Sequence, residues 1–396
     1  MARIAELEQR IHGFVETLSN THGVPPAVPL SAQWNATNTA AATTSDDGAC
    51  DEEVSELHYG VFFHRMLKYF PVVHVPSDPE SLRRERPFLL LCIRAVTTPS
   101  IEASLEMGRN IKQVIANRIV LDEATNYEDI DLLQGLLTYI AWSHDHLLRG
   151  GGGAPNVSRH TQLALALVYE LSLNKKFAPI DSNALPVGDI PGKRTLLRRT
   201  WPHTMEEKRT LVGCFLLSSV VSVYFGQIDP LPLTEYMRSC ITALSCSDDA
   251  PYDQTLAHMA QLQSVVNDVE ALRRGSSPVA VYHKLFQHRI EELKRSQPVN
   301  DETNGILSSS AYFSQLNIET LALGGDDEAP ATQRVARRWA CVETVKLALD
   351  NFFSVPFEDY DNLPFPYFTQ LAGFLAVLVR LTTLEAVGWD MHMVQH

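Results

Sequence analysis

The chain has 396 residues, of which 45% are hydrophobic and 20% charged, and a formal net charge of −14. A chain of that length can bury a large core, and the composition is that of an ordinary globular protein. The acidic balance repels phosphate, so the body is not expected to grip nucleic acid or an anionic lipid surface directly.

Met1 to Ser19 is charged and periodic, unlike a signal peptide. Its apolar residues fall at Ile4, Leu7, Ile11, Phe14 and Leu18. The gaps alternate three and four, the heptad spacing that keeps one seam facing a partner helix. Ile4, Ile11 and Leu18 take the a positions, and Leu7 and Phe14 take d. Arg3 at g and Glu8 at the following e favour a parallel dimer. The plainer alternative is a short amphipathic helix packed on its own domain, because so short a helix is marginal alone.

From Asn20 to about Glu53 periodicity is lost and Thr, Ala, Asn, Pro and Ser dominate, which predicts a disordered linker over 20–53. From Val54 to the end nearly every segment has helical spacing. Leu132, Leu133, Leu136, Leu137 and Ile140 mark one buried helix face, and Leu163, Leu167, Val168 and Leu171 another. Thr204 and Glu207 form a capping box ahead of the apolar run Leu211–Phe225. That run is interrupted by Ser218, Ser219 and Ser222 and is too short to cross a bilayer core of about 30 Å. Ser277 and Pro278 have the pattern of an N-cap with proline at the first helical position. Further helices are predicted near 81–97, 101–121, 232–246, 252–274, 304–323, 332–353 and 366–388. Gly150–Gly153, Pro179–Gly192 and Gly324–Pro330 break the pattern. Strand alternation and a fixed-length repeat are both missing, so the expected fold class is all-α, an irregular multi-helix domain over 54–396.

Few motifs suggest chemistry. The glycines at 150–153 are followed by Ala154 and Pro155 rather than Lys and Ser or Thr, so they form no phosphate loop, and Gly188–Arg194 also fails in spacing. The six cysteines, at 50, 92, 214, 240, 246 and 341, contain no C-x₂-C pair; most lie in apolar runs and are expected to be reduced core residues. His144 and His146 cannot share a helix face, and neither H-E-x-x-H nor G-x-S-x-G occurs. Asp248, Asp249 and Asp253 resemble the aspartate-rich magnesium motif of helical terpene cyclases, with Asn267 and Asp268 as a second half-site. The two clusters are too close in sequence to face each other across a cavity, and Pro251 puts the first in a turn, so an acidic helix N-terminus is the better account. Lys193, Arg194, Arg198 and Arg199 form the most basic patch, read either as a phosphate or nuclear-import contact or as a solvated loop. Asp350–Phe368 mixes acids with Phe352, Phe353, Phe357, Tyr360, Phe365, Tyr367 and Phe368. It has the composition of an activation segment or, more simply, of aromatics anchoring a proline-rich connection.

Taken together, HYGVFFHRMLKYFPVVHVP at His58–Pro76, RRERPFLLLCIRAV at Arg83–Val96 and DLLQGLLTYIAWSHDHLL at Asp131–Leu148 resemble the fungal-specific regulatory region of zinc-cluster transcription factors. QLALALVYELSL at Gln162–Leu173, the stretch Thr204–Leu233 ending GQIDPLPL, and Tyr236–Leu244 follow in the same order. The resemblance covers roughly residues 55–390, and Trp142 stands in its most recognisable segment. RIAELEQRIHGFVETLS, within residues 1–19, is similar to the short dimerisation coil that follows the zinc cluster in that family. No cysteine present has the cluster's spacing, so no zinc ligand or DNA-contact residue carries over.

The resemblance implies a nuclear transcription regulator of a metabolic or secondary-metabolite gene cluster, without enzyme activity or cofactor. It would be a homodimer or heterodimer through residues 1–19 and would take a small-molecule effector. It would reach DNA through a partner that brings a zinc cluster, or through an N-terminal extension. If such a dimer had only one zinc cluster it would read a single half-site, which gives it a negative-acting form. Two alternatives stand beside this one. A helical enzyme of isoprenoid metabolism would use the 248–253 aspartates to hold magnesium. A small-molecule sensor acting without DNA would call for an enclosed apolar cavity.

Overall fold

A computed structural model describes residues 56–76, 78–118, 130–142, 153–176, 202–275, 279–323, 330–383 and 389. All of them belong to one compact unit, Glu52–His396. The heptad residues Ile4, Leu7, Ile11, Phe14 and Leu18, the 20–53 segment, the His144/His146 pair, the Lys193–Arg199 patch and the Ser277–Pro278 cap lie outside the described residues.

Among the described residues every regular element is helical and no strand occurs, as the apolar spacing predicts. The chain enters through a helical stretch at 56–61, a π-turn at Phe62–Met66 and a 3₁₀ turn at Leu67–Tyr69. The α-helices that follow are α1 (Pro79–Glu85), α2 (Pro87–Thr97), α3 (Ile101–Ala116), α4 (Ile130–Trp142), α5 (Gly153–Glu170) and α6 (Met205–Phe225). After them come α7 (Glu235–Ser245), α8 (Asp253–Arg274), α9 (Val279–Arg295), α10 (Asn304–Leu323), α11 (Ala331–Phe353) and α12 (Phe365–Thr382).

The single helix predicted near 81–97 is two. Pro87 has no N–H to donate and forces Arg86 out of the helical region, to φ −136° and ψ 58°. The buried N-terminal amides of α2 take their cap from another helix. Asp131 of α4 accepts from Phe88 N at 3.0 Å and from Leu89 N at 2.8 Å.

Helix α6 is the axis of the body, packing on α4, α5, α7, α8 and α12. It starts with the predicted capping box: Thr204 Oγ1 accepts from Glu207 N, and the Glu207 carboxylate accepts from Thr204 N. It ends at Gly226, whose φ of +66° is the left-handed cap that glycine favours. At 21 residues α6 is longer than its apolar run and long enough to cross a membrane, but every residue from Arg209 to Ser222 is buried inside the protein. Helix α12, 18 residues long and similarly apolar, is partly exposed. Ser218, one of the polar breaks in the α6 run, donates to Phe215 O and accepts from Leu231 N at 3.1 Å, so its hydroxyl is satisfied in the core.

Close approach of the entry segment to α6 depends on Gly213. A Cβ there would lie 2.6 Å from Val72 Cβ and 3.0 Å from the Val72 carbonyl oxygen. Helix propensity alone favours alanine over glycine by about 1 kcal/mol. The backbone atom cannot swing aside, so Gly213→Ala is expected to lose about 1–3 kcal/mol through overpacking. Gly60→Ala, where a Cβ meets nothing within 4 Å, is the control. Thermal melts that rank the two variants equally would contradict this packing.

Candidate functional site

The sequence offers the aspartates at 248–253 as the one cluster with catalytic potential, and the structure gives them another use. Asp253 is the first residue of α8 and is 1% exposed. Arg209, 2% exposed in the second turn of α6, grips it with both ends of the guanidinium: Nε to Oδ1 at 2.5 Å and Nη2 to Oδ2 at 2.8 Å. Nη2 also reaches Asp249 Oδ2 at 3.1 Å, and Ser247 Oγ donates to Asp253 at 3.0 Å. The supposed second half-site is equally occupied. Asn267 donates to Ser219 Oγ at 2.8 Å, and Asp268 pairs with Arg289 at 2.7 Å. These carboxylates and amides tie α6, α8 and α9 together, and no group of three or more His, Cys, Asp or Glu among the described residues converges as metal ligands do.

A second polar network lies near the N-terminal end of α6. Arg86 holds Glu206 through three bonds of 3.0, 3.1 and 3.2 Å, and Gln134 donates to Glu206 at 3.0 Å and to Thr210 at 3.1 Å. Half-buried His74 feels both networks. Its pKa falls below the ordinary histidine value, first through burial and then through the Arg209 charge, against the pull of Glu206, Asp249 and Asp253.

The acidic-aromatic stretch behaves mainly as an anchor. Phe352, Phe365 and Tyr367 are buried, while Phe353 and Phe357 are exposed. Asp359 binds the entry segment, accepting from Arg65 at 2.9 Å and from Tyr69 Oη at 3.1 Å, with Lys68 at 3.6 Å. Burial pushes the Asp359 pKa up, but these donors and charges outweigh it and hold the carboxyl below its usual range. Trp142 is buried too, donating to Asn362 O at 2.9 Å with the rings of Phe62 and Phe70 set edge-on to it.

Cys92, Cys214 and Cys240 are free and buried, Cys246 is free and exposed, and Cys341 is buried. Burial raises the Cys214 thiol to about 12, which keeps it protonated and unreactive.

A cleft of about 720 Å³ is bordered by α6, α8, α10, α11 and α12. It opens to solvent and is not the enclosed apolar cavity a sensor reading calls for. Val220, Val223, Leu316 and Val377 give it apolar walls, while Arg273, Arg338, Arg380 and Glu270 supply all of its charge. Local sequence gives no hint of it, because its arginines come from three helices far apart in the chain.

The chain is similar to fungal proteins that are named transcription factors. It is 28% identical to transcription factor opdL of Penicillium oxalicum, an alignment covering all of this chain and 72% of that protein. It is 27% identical to a transcription factor of Aspergillus terreus over 86% of this chain and 52% of the relative. It is also 27% identical to transcription factor himD of Aspergillus japonicus, over 55% of this chain and 35% of the relative. No family model and no solved structure matches the chain. The chain is thus similar to fungal proteins named transcription factors, and the first of these similarities runs through its whole length.

Proposed function

We propose that this protein is a transcription regulator of the fungal zinc-cluster type, with Glu52–His396 as its helical regulatory body. The observation that carries this reading is the similarity to transcription factor opdL across the entire chain. The Arg209–Asp253 pair supports it, because the carboxylates an enzyme would use on magnesium already serve the packing of helices. Residues 1–19 then form a dimerisation coil through Ile4, Leu7, Ile11, Phe14 and Leu18, and 20–53 link that coil to the body. The protein acts in the nucleus, on a metabolic or secondary-metabolite gene cluster, and is not an enzyme. DNA is contacted by a zinc cluster carried on a partner chain or on further sequence of the same polypeptide, since the cysteines described here are core residues or isolated.

Chromatin immunoprecipitation of the tagged protein, paired with transcript profiling of a deletion strain, tests the reading. Enrichment at a few promoters whose genes change expression on deletion is the expected result. An unchanged transcript profile without promoter enrichment, or magnesium-dependent consumption of a prenyl diphosphate by the purified chain, would refute it. The coil has its own check: Leu7→Lys with Phe14→Lys should turn a dimer into a monomer in sedimentation equilibrium, by placing charges at two seam positions.

A further inference from the structure

We infer that the cleft between α6, α8, α10 and α12 binds an organic carboxylate with an apolar body, and that Arg380 and Arg338 at its edge receive the carboxylate. The charge balance is the first ground. In a chain with net charge −14, the cleft is lined by three arginines and one glutamate. Arg273 pairs with Glu270 and also donates to Thr320 at 3.1 Å, so it is already engaged. Arg338 lies over the Trp389 ring at 5.9 Å, a contact that orients a guanidinium without neutralising it. Arg380 is exposed at the end of α12 and makes no ion pair among the described residues. Two uncompensated guanidiniums beside low-dielectric walls concentrate a positive potential that selects an anion.

The walls indicate the rest of the ligand. Val220 and Val223 of α6, Leu316 of α10 and Val377 of α12 present aliphatic surface to the void. Its volume falls within the range of about 300–1,000 Å³ typical of small-molecule sites. Two amides more than nine-tenths buried face the same space. Gln263 donates its side-chain N–H to Asn267 at 3.2 Å, and Asn317 donates its own to Phe313 O at 2.9 Å. Each thereby keeps a carbonyl oxygen for a hydroxyl or N–H on the ligand. A purely apolar guest would leave those oxygens and the arginines unpaired, and a simple inorganic anion would leave the aliphatic walls wet. An apolar acid that also carries a donor satisfies all three surfaces.

Binding by the purified chain stands by itself, while the meaning of the cleft as an effector site rests on the regulator reading above. The two fail separately. A chain that binds the probe but occupies no promoter keeps the cleft and loses the regulator, and the reverse outcome does the opposite.

The test uses fluorescence titration of the full chain with 8-anilinonaphthalene-1-sulfonate, an apolar anion, and with N-phenyl-1-naphthylamine, its uncharged counterpart. Displacement by decanoate is compared with displacement by decanol. The expected result is one site per chain, preferring the anion, with decanoate displacing the probe at lower concentration than decanol. Arg380→Glu and Arg338→Glu should each weaken the anion about tenfold and leave the neutral probe within about twofold. Arg295→Glu, on an exposed position of α9 outside the cleft, makes the same change in net charge and should have no effect. Several weak sites, equal affinity for the two probes, or wild-type binding in Arg380→Glu would overturn the proposal. Because Arg380 is exposed, its variant is expected to fold, and a thermal melt alongside the titration verifies this.

Discussion

Arg209→Met is expected to destabilise the protein by about 3–5 kcal/mol, the usual result of removing one partner from a buried ion pair. The loss comes mainly from what is left behind. Asp253 is 1% exposed, and without Arg209 its carboxylate would retain from these contacts only the Ser247 hydroxyl, at 3.0 Å. Neutralising the stranded charge should restore much of the stability, so Arg209→Met with Asp253→Leu should be markedly more stable than Arg209→Met alone. Urea unfolding followed by circular dichroism measures both. A loss under about 1 kcal/mol in the single variant, or losses that simply add in the double, would mean the pair is not the buried anchor its geometry describes. The same experiment addresses the magnesium alternative. A cation bound at Asp249 and Asp253 would raise the unfolding midpoint with concentration, whereas an anchor already saturated by Arg209 predicts no such dependence.

His258 sets a second large effect, this one in pH. It is 3% exposed on α8, its Nε2 meets no hydrogen-bond partner among the described residues, and burial lowers its pKa to about 4 from 6.5. The folded protein therefore keeps the ring neutral at pH values where the unfolded chain has already taken up a proton. The unfolded state binds more protons between these two values, so stability is fully present above pH 6.5 and falls as the pH drops towards 4. The displacement corresponds to about 3 kcal/mol across that window. His258→Leu should flatten this part of the stability profile, read as urea midpoints at successive pH values. Other groups also contribute to the absolute profile. His160, whose pKa burial lowers, adds to the fall, while Glu319, whose pKa burial raises against its hydrogen bonds from Gln315 and Thr344, opposes it. The comparison with the variant cancels both. An unchanged slope in His258→Leu would show that the imidazole is hydrated or paired after all.

The helices were legible wherever a local rule decides the backbone. Leucine spacing in α4, the Thr204–Glu207 box and the acidic start of α8 all depend on residues within a turn or two of one another. The expectation of a single helix where α1 and α2 stand came from weighing the apolar run at Phe88–Ile93 above the Pro87 beside it. The polar anchors were not legible. Nothing near Arg209 announces a buried charge, because Lys208 and Glu207 next to it suggest a solvated turn and its partner lies 44 positions away. Asp131 likewise sits at the start of α4, where an acid is ordinary, yet it caps a different helix. The cleft was hidden for the same reason, since Arg338 and Arg380 join it only through the packing of α11 and α12.

The contact between Arg65 and the Glu358–Asp359 turn bridges 293 and 294 positions of sequence, and that from Trp142 to Asn362 bridges 220. A ribosome delivers the two members of each contact 220 or more residues apart. Arg65 and Tyr69 of the entry segment must wait for their carboxylate partner until residues near 360 have emerged. Formation of the body then depends on a late closure as well as on its many local helices, and a nascent chain that has not reached residues near 360 is exposed to chaperone capture or aggregation.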